Sequence, residues 1–382
     1  MTLPPDSHIC FVSPFIEAYL QPGSTKNVGG AQRQQHLLAT RLRDAGHRVS
    51  FVVTATDGKR HEQIDGFDIR RAIPGTNSPR RTPEVFFKLL FAIKRIDADV
   101  YYVRGNPQLS ILVSYCCSLL SLPLLYVVAN DSNLELDRLS THHRLFRHTL
   151  PKLAYVDAIR RADRVVTQTS YQRDLLKNVF GIESVTIPNG YTVPESNAVV
   201  PATERTHVLW VGTLDPDQKR PERFLQLAEA LPDISFRMVG WTGDEAYRER
   251  IIERAASLPN LTFEGFVPPD QIDSHYRDAV ALVNTSEHEG FPNTFLEAWR
   301  FGVPVVSLHH TLDGSLEAEE TGYHCGTMDR MIGTVERLWA DQTLVADLGL
   351  NGRQHLIDNY TLDATAETYS DVFGEMIANS RS

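Results

Sequence analysis

Residues 279–308, AVALVNTSEHEGFPNTFLEAWRFGVPVVSL, restrict the fold more than any other stretch of this chain. An apolar run, Ala279–Val283, leads into a polar turn around Gly290, then a helix-forming segment, then a second apolar run, Val303–Leu308. Pro292 suits a helix start, Asn293 and Thr294 suit capping, and Gly302 with Pro304 just beyond it suits a helix end. Two short, uninterrupted apolar runs joined by a helix read as a crossover, which pairs its strands in parallel and needs cover on both faces of the sheet. Such a unit aims a helix N-terminus, with its unpaired N–H groups, at the carboxyl edge of the strands. An anion such as a diphosphate would be held there, and Glu297, one turn into the helix, could bind sugar hydroxyls. Glu289 lies in the turn, eight residues before it. An ordinary strand–turn–helix with both carboxylates solvated fits the same residues, and this stretch alone leaves the two readings open.

The alternation repeats along the whole chain. In the first half the expected strands are Ile9–Val12, Val49–Val53, Phe67–Ile73, Val100–Val103, Leu124–Val128, Arg164–Thr167 and Val185–Ile187, and a helix is expected over Ala31–Ala45. In the second half they are Val208–Gly212, Ile234–Val239, Leu261–Phe263, Val280–Asn284 and Val303–Leu308. Helices are expected there near 221–230, 244–256, 270–278, 293–301, 328–340, 343–359 and 362–378. Tyr191–Thr206, rich in Pro, Ser, Asn and Val and without periodicity, is the linker candidate. The reading is an α/β chain of two parallel-sheet domains, 1–190 and 205–360, with a terminal helical segment over 361–382. A length of 382 residues with 42% hydrophobic and 23% charged content is enough for two separate cores. Ligands of such sheets bind outside the carboxyl ends of the strands, where Gly29-Gly30 falls ahead of a helix. Glycine there lets a phosphate or sugar approach the backbone, although a tight turn without a ligand reads equally well.

Charge is divided unevenly. Residues 1–190 hold 24 Lys and Arg against 17 Asp and Glu, whereas residues 191–382 hold 14 against 31, which accounts for the overall −10. Opposite signs suggest halves with different partners. The acidic total, without basic–aromatic repeats, argues against nucleic acid. Two basic amphipathic stretches, Arg80–Arg95 and His142–Arg161, could meet an anionic membrane surface or a phosphate-bearing acceptor, or be ordinary surface helices. Leu109–Ala129 is apolar over a bilayer-spanning length, but Pro123 and its serines divide it into a buried helix and a strand. Cys10, Cys116, Cys117 and Cys325 form no CxxC or zinc spacing and read as buried thiols. The polar opening MTLPPDSH leads straight into a strand, so a cytoplasmic protein is expected.

Taken together, four stretches resemble the family 4 retaining glycosyltransferases. Glu289-x7-Glu297 looks like the family's defining motif. GGAQRQQHLLATRLRDAGHRVSFVV resembles its first glycine loop and helix, ADRVVTQTSYQRDLL with IPNG the end of its first domain, and WVGTLDPDQKRPERFLQLAEALPDISFRMVG the start of its second. The match covers most of the chain, with 57–160 similar only in pattern. The resemblance implies a GT-B fold: two Rossmann-like domains facing across a cleft, the first for the acceptor, the second for a nucleoside-diphosphate sugar, and a last helix crossing back to the first. It implies Glu297 on the ribose hydroxyls, Glu289 near the donor sugar, and Lys219 neutralising the departing diphosphate. Backbone N–H groups around Gly290, Phe291, Pro292, Asn293 and Thr294 would face the diphosphate or sugar, and Gly30 would abut it from the first domain. Neither cofactor nor metal is implied. Asp97-Ala98-Asp99 and Asp215-Pro216-Asp217 mimic a DxD metal site but lack companion ligands and read as surface carboxylates.

Two positions depart from the family pattern. Where many members carry an arginine, six residues before the lysine, this chain has Thr213, and Arg220 could compensate or be turned away by helix geometry. Where the family has a histidine, this chain reads Ala129-Asn130-Asp131-Ser132, making Asn130, Asp131 and Gly29 the acceptor-side candidates. Trp241 and Phe266-Val267 are candidates for a base pocket. The expected activity is retaining, metal-independent transfer of a hexosyl-type group to a glycan, lipid-linked or small-molecule hydroxyl. A GT-B epimerase or phosphorylase, or a catalytically silent sugar-nucleotide-binding subunit, are the rivals. Isomerisation of donor alone would mark the epimerase, and donor binding without transfer the silent subunit.

Overall fold

The structure, a computed structural model, describes residues 2–20, 29–55, 59–74, 82–135 and 147–380. It divides into two compact units, Met1–Gly190 with Leu362–Ser382, and Tyr191–Thr361.

The first unit is an eight-stranded sheet in the order β3-β4-β2-β1-β5-β6-β7-β8. Its strands are β1 (His8–Val12), β2 (Arg48–Ala55), β3 (His61–Ile64), β4 (Phe67–Pro74), β5 (Val100–Arg104), β6 (Leu124–Val127), β7 (Arg164–Thr167) and β8 (Val185–Thr186). All neighbours pair in parallel except β3 and β4, a hairpin that the sequence reading missed. Its two-residue turn, Asp65-Gly66, has φ of 49° and 77°, the pair of left-handed residues that matches the strand twist. The central strands β1, β5 and β6 are buried along their whole length, as apolar runs covered on both faces must be.

One face carries α1 (Gly30–Asp44) and a helix from the far end of the chain, Leu362–Ser380. Leu38, Leu42, Tyr369, Phe373 and Ile377 close over Ile9, Phe11, Phe51 and Tyr102. An ion pair of 2.9 Å between Arg41 and Asp363 ties the two helices. The other face carries α2 (Thr82–Ile96), α3 (Pro107–Leu120) and α4 (Thr149–Arg160), whose Leu89, Val113 and Ile159 pack with Val52, Tyr101 and Val103. The apolar run Leu109–Ala129 does split. Asn106 caps α3 by accepting from the Leu109 N–H at 3.2 Å, Ser121 ends it at φ 55°, and β6 follows. Among the described residues no helix is long and apolar enough to cross a membrane. Residues 80–81 and 142–146 of the two basic stretches lie outside the described residues. All four cysteines are free and buried.

The second unit is a six-stranded, wholly parallel sheet in the order β11-β10-β9-β12-β13-β14. The strands are β9 (His207–Thr213), β10 (Phe236–Trp241), β11 (Leu261–Gly265), β12 (Ala279–Asn284), β13 (Val305–Ser307) and β14 (Gly322–His324). Helices α5 (Pro221–Ala230), α6 (Glu245–Ala256) and α7 (Met328–Ala340) cover one face, with Phe224, Ile251 and Val335 over Trp210 and Met238. The other face carries α8 (Asn293–Trp299) and α9 (Gln342–Asn359). Edge strand β14 was not expected, because three residues carry no readable period. Gly322 makes it possible, since a Cβ there would fall 2.0 Å from the Val305 carbonyl oxygen. Tyr191–Thr206 is no free tether: the half-buried Arg205 guanidinium donates to the carbonyls of Val200 (3.2 Å) and Phe301 (3.2 Å). Tyr191 and Thr361, where the chain enters and leaves this unit, form an isolated parallel bridge.

Each sheet has one point where strand order reverses. In the first unit it lies between β1 and β5, in the second between β9 and β12. Loops leaving such a point diverge to opposite faces and leave a crevice at the carboxyl edge.

Candidate active site

In the second unit the loops after β9 and β12 flank that crevice and are laced together. Trp210 Nε1 donates to Thr285 Oγ1 at 2.9 Å, and that hydroxyl donates to the Lys219 carbonyl at 2.7 Å. The Glu287 N–H reaches the Gln218 carbonyl at 2.8 Å, and Gln218 Nε2 reaches the His288 carbonyl at 3.0 Å. Asp215 Oδ1 accepts the N–H groups of Asp217 and Gln218, folding the loop so that Lys219 points back across the gap. Its sequence reading as a surface carboxylate is therefore incomplete: it is the clamp of this turn.

Lys219 Nζ lies 2.6 Å from Glu289 Oε1. Asn284 Nδ2 at 3.1 Å and the Ser286 hydroxyl at 2.7 Å donate to the same oxygen. Glu289 is 7% exposed. Burial pushes its pKa upward, but the charge and hydrogen bond of Lys219, with help from His310 and Ser286, outweigh it and hold the carboxyl below its ordinary range. All three donors converge on Oε1, so among the described residues Oε2 has no protein partner. His310 is close enough to feel both charges. Its Nε2 is buried without a partner, and burial lowers its pKa.

Glu297 stands two strides further on, in α8. It too is 7% exposed, and two buried phenols hold it: Tyr191 Oη donates to Oε1 at 2.6 Å and Tyr276 Oη to Oε2 at 2.5 Å. Each oxygen keeps further acceptor capacity. The turn between the carboxylates is less generous with backbone donors than the sequence reading supposed. Pro292 has no N–H, and that of Asn293 is spent on the Phe291 carbonyl at 2.9 Å. Gly290, Phe291 and Pro292 are buried, and Asn293 and Thr294 are half-buried.

The other sequence candidates scatter. Thr213 is exposed at the carboxyl end of β9. Arg220 precedes α5 at φ 51° and faces Glu287 at 3.7 Å, a carboxylate that Arg223 also binds. Trp241 ends β10 half-buried, with the Arg248 guanidinium 6.0 Å over its ring, and Phe266 and Val267 are half-buried. In the first unit Gly29 precedes α1 without a side-chain cap, and Gly30 opens that helix. Asn130 caps its own short turn by accepting from the Ser132 N–H at 3.0 Å, and Asp131 accepts from Gln172 Nε2 at 3.0 Å. Asp99 accepts the His8 N–H at 2.8 Å and so anchors β1 rather than lying free on the surface. No group of three metal-ligating side chains occurs among the described residues. Sequence reasoning missed Asn284 and Ser286, although both sit beside Glu289 in the chain. It also missed Tyr191, Tyr276 and His310, for which distance along the chain left no local signal.

Comparison with known proteins agrees with this architecture. The model of Glycosyltransferase Family 4 matches residues 28–193, and that of Glycosyl transferases group 1 matches residues 205–341. A 2-deoxystreptamine N-acetyl-D-glucosaminyltransferase from Streptomyces fradiae is 26% identical over 323 residues, covering 75% of this chain and 76% of that protein. Among solved structures, a sucrose-phosphate synthase from Thermosynechococcus elongatus superposes with a TM-score of 0.78 at 20% identity, covering 98% of this chain and all of the other. Anabaena HepE in complex with UDP and glucose gives a TM-score of 0.70 at 16% identity over 95% of this chain and 98% of its own. The two family models together span most of the chain, which is a nucleotide-sugar glycosyltransferase of the family 4 type with the GT-B fold.

Proposed function

We propose that the second unit binds a nucleoside-diphosphate hexose, that the first binds the acceptor, and that transfer proceeds with retention and without a metal ion. One observation carries the donor assignment: Glu289 is fixed through Oε1 by three donors while Oε2 is left for a sugar hydroxyl. Lys219 shares Oε1 and is 21% exposed, so an entering diphosphate can draw its charge. As the bond between the anomeric carbon and the diphosphate breaks, negative charge builds on the leaving oxygen. A cation placed there stabilises the transition state more than the ground state. The acceptor oxygen then forms the new bond on the same face and passes its proton to the leaving phosphate. Glu297, held by Tyr191 and Tyr276, takes the ribose hydroxyls.

UDP is the first nucleotide to try, because HepE was solved with it. A lipid-linked or anionic glycan acceptor at the cytoplasmic face of a membrane fits α2, which exposes Phe87 and Phe91 beside Lys88, Lys94 and Arg95. The test measures turnover with EDTA present and reads the product anomer by NMR. Lys219→Ala should lose on the order of 10²–10³ in kcat. Native turnover in both Lys219→Ala and Glu289→Ala would reject the site, and an inverted anomer would reject the mechanism.

A further inference from the structure

The first unit holds a cation that the reading above does not use. Arg104 is the last residue of β5, and β5 borders β1, so the side chain stands at the switch point of this sheet, where the loop after β1 leads into α1. It is 8% exposed. Its Nη2 donates to Gln168 Oε1 at 2.6 Å and to Asn189 Oδ1 at 3.0 Å. Both acceptors are neutral amides. The Gln168 orientation is set by its own Nε2, which donates to the Val128 carbonyl. Nε of Arg104 is buried without an acceptor, and among the described residues no carboxylate lies within ion-pair distance. The phenols of Tyr102 and Tyr369 do not supply the missing charge, since burial raises both pKa values and keeps them protonated.

A second donor meets the same segment. Gln34, the fifth residue of α1, is 5% exposed. Its Oε1 accepts the Gly190 N–H at 3.2 Å, and its Nε2 is buried with no partner among the described residues. Asn189 and Gly190 are consecutive, so the guanidinium and the amide flank the same segment. The N-terminus of α1 lacks a side-chain cap. The spot therefore carries a positive charge met only by neutral acceptors, Gln168, Asn189 and the Tyr102 phenol, and among the described residues no carboxylate, an expensive arrangement to bury unless an anion completes it.

We propose that Arg104 and Gln34 form an oxyanion subsite that takes a phosphate or carboxylate carried by the acceptor. This rests on the first unit being the acceptor-binding one. A purely structural arginine, stapling β5 to the segments after β7 and β8, would bind no anion.

The test is calorimetric titration of the full chain with inorganic phosphate, glucose 6-phosphate and glucuronate, in the presence of UDP, with glucose as the uncharged control. Support is saturable binding of at least one anion where glucose gives none, weakened at least tenfold in Arg104→Gln, several-fold in Gln34→Leu, and unchanged in Lys219→Ala. The glucuronate and phosphate arms tell the two chemistries apart. Binding that survives Arg104→Gln but vanishes in Lys219→Ala assigns the anion to the second unit and overturns the proposal, as does no binding to the unmodified chain. Should Arg104→Gln fail to fold, native affinity in Gln34→Leu overturns it. UDP titration of the same proteins reads the donor site separately, so loss of UDP binding with anion binding intact counts against the donor assignment alone.

Discussion

At the scale of single residues, the two buried carboxylates of the second unit are held by neutral hydroxyls and an amide as well as by Lys219. Glu297 is the clearer case. Two phenols from distant parts of the chain, Tyr191 and Tyr276, each bond one oxygen of this buried carboxylate and set its position. Tyr276→Phe removes one donor and leaves its oxygen less satisfied, at a cost of about 1–3 kcal/mol. Urea unfolding should show that loss, and UDP affinity should fall by about tenfold in the same variant. A stability loss with unchanged UDP affinity would separate Glu297 from the nucleotide. Glu289 itself was legible in the sequence, because a carboxylate in a glycine turn between two buried strands is unusual. Its one committed and one open oxygen were not, since Lys219 reaches it from a loop 70 residues away.

At the scale of elements, the long apolar strands were readable and the short polar ones were not. β3, His61–Ile64, is half-exposed and alternates, but all of its residues except Ile64 are polar, and only the Asp65-Gly66 dipeptide announced it. β9 shows how an element can carry a titratable group that a pattern cannot price. His207 is the first residue of this strand, with Nε2 3.0 Å from the His275 carbonyl and Nδ1 3.0 Å from Thr206 Oγ1. The carbonyl requires a proton on Nε2, so Nδ1 accepts, and the neutral ring is fully bonded. Burial lowers its pKa to about 4 from 6.5. Between those values the unfolded chain binds a proton that the folded chain refuses. Stability is therefore full above pH 6.5 and falls as pH drops toward 4, by about 3 kcal/mol. Urea midpoints measured across that window should fall in the native chain and flatten in His207→Gln.

At the scale of the whole molecule, the basic half ends at the unit boundary between Gly190 and Tyr191, although the first unit also takes Leu362–Ser382 from the acidic half. The exposed Phe87 and Phe91 at 57% and 69% lie on the basic side, one helical turn apart and interleaved with lysines. Flotation with vesicles containing anionic lipid should carry the native chain upward at low salt, and Phe87→Ser with Phe91→Ser should leave it behind. Equal recovery of both would show that the face is merely solvated. By itself the sequence determined the two parallel sheets, the helices between them and the stretch that bears Glu289 and Glu297, because local period and turn chemistry are written in neighbouring residues. Tertiary structure alone decided which oxygen of Glu289 is spent, which tyrosines hold Glu297, and that Arg104 is buried without a carboxylate. Those depend on side chains brought together from loops and strands far apart in the chain, and a one-dimensional pattern records neither their distance nor their burial.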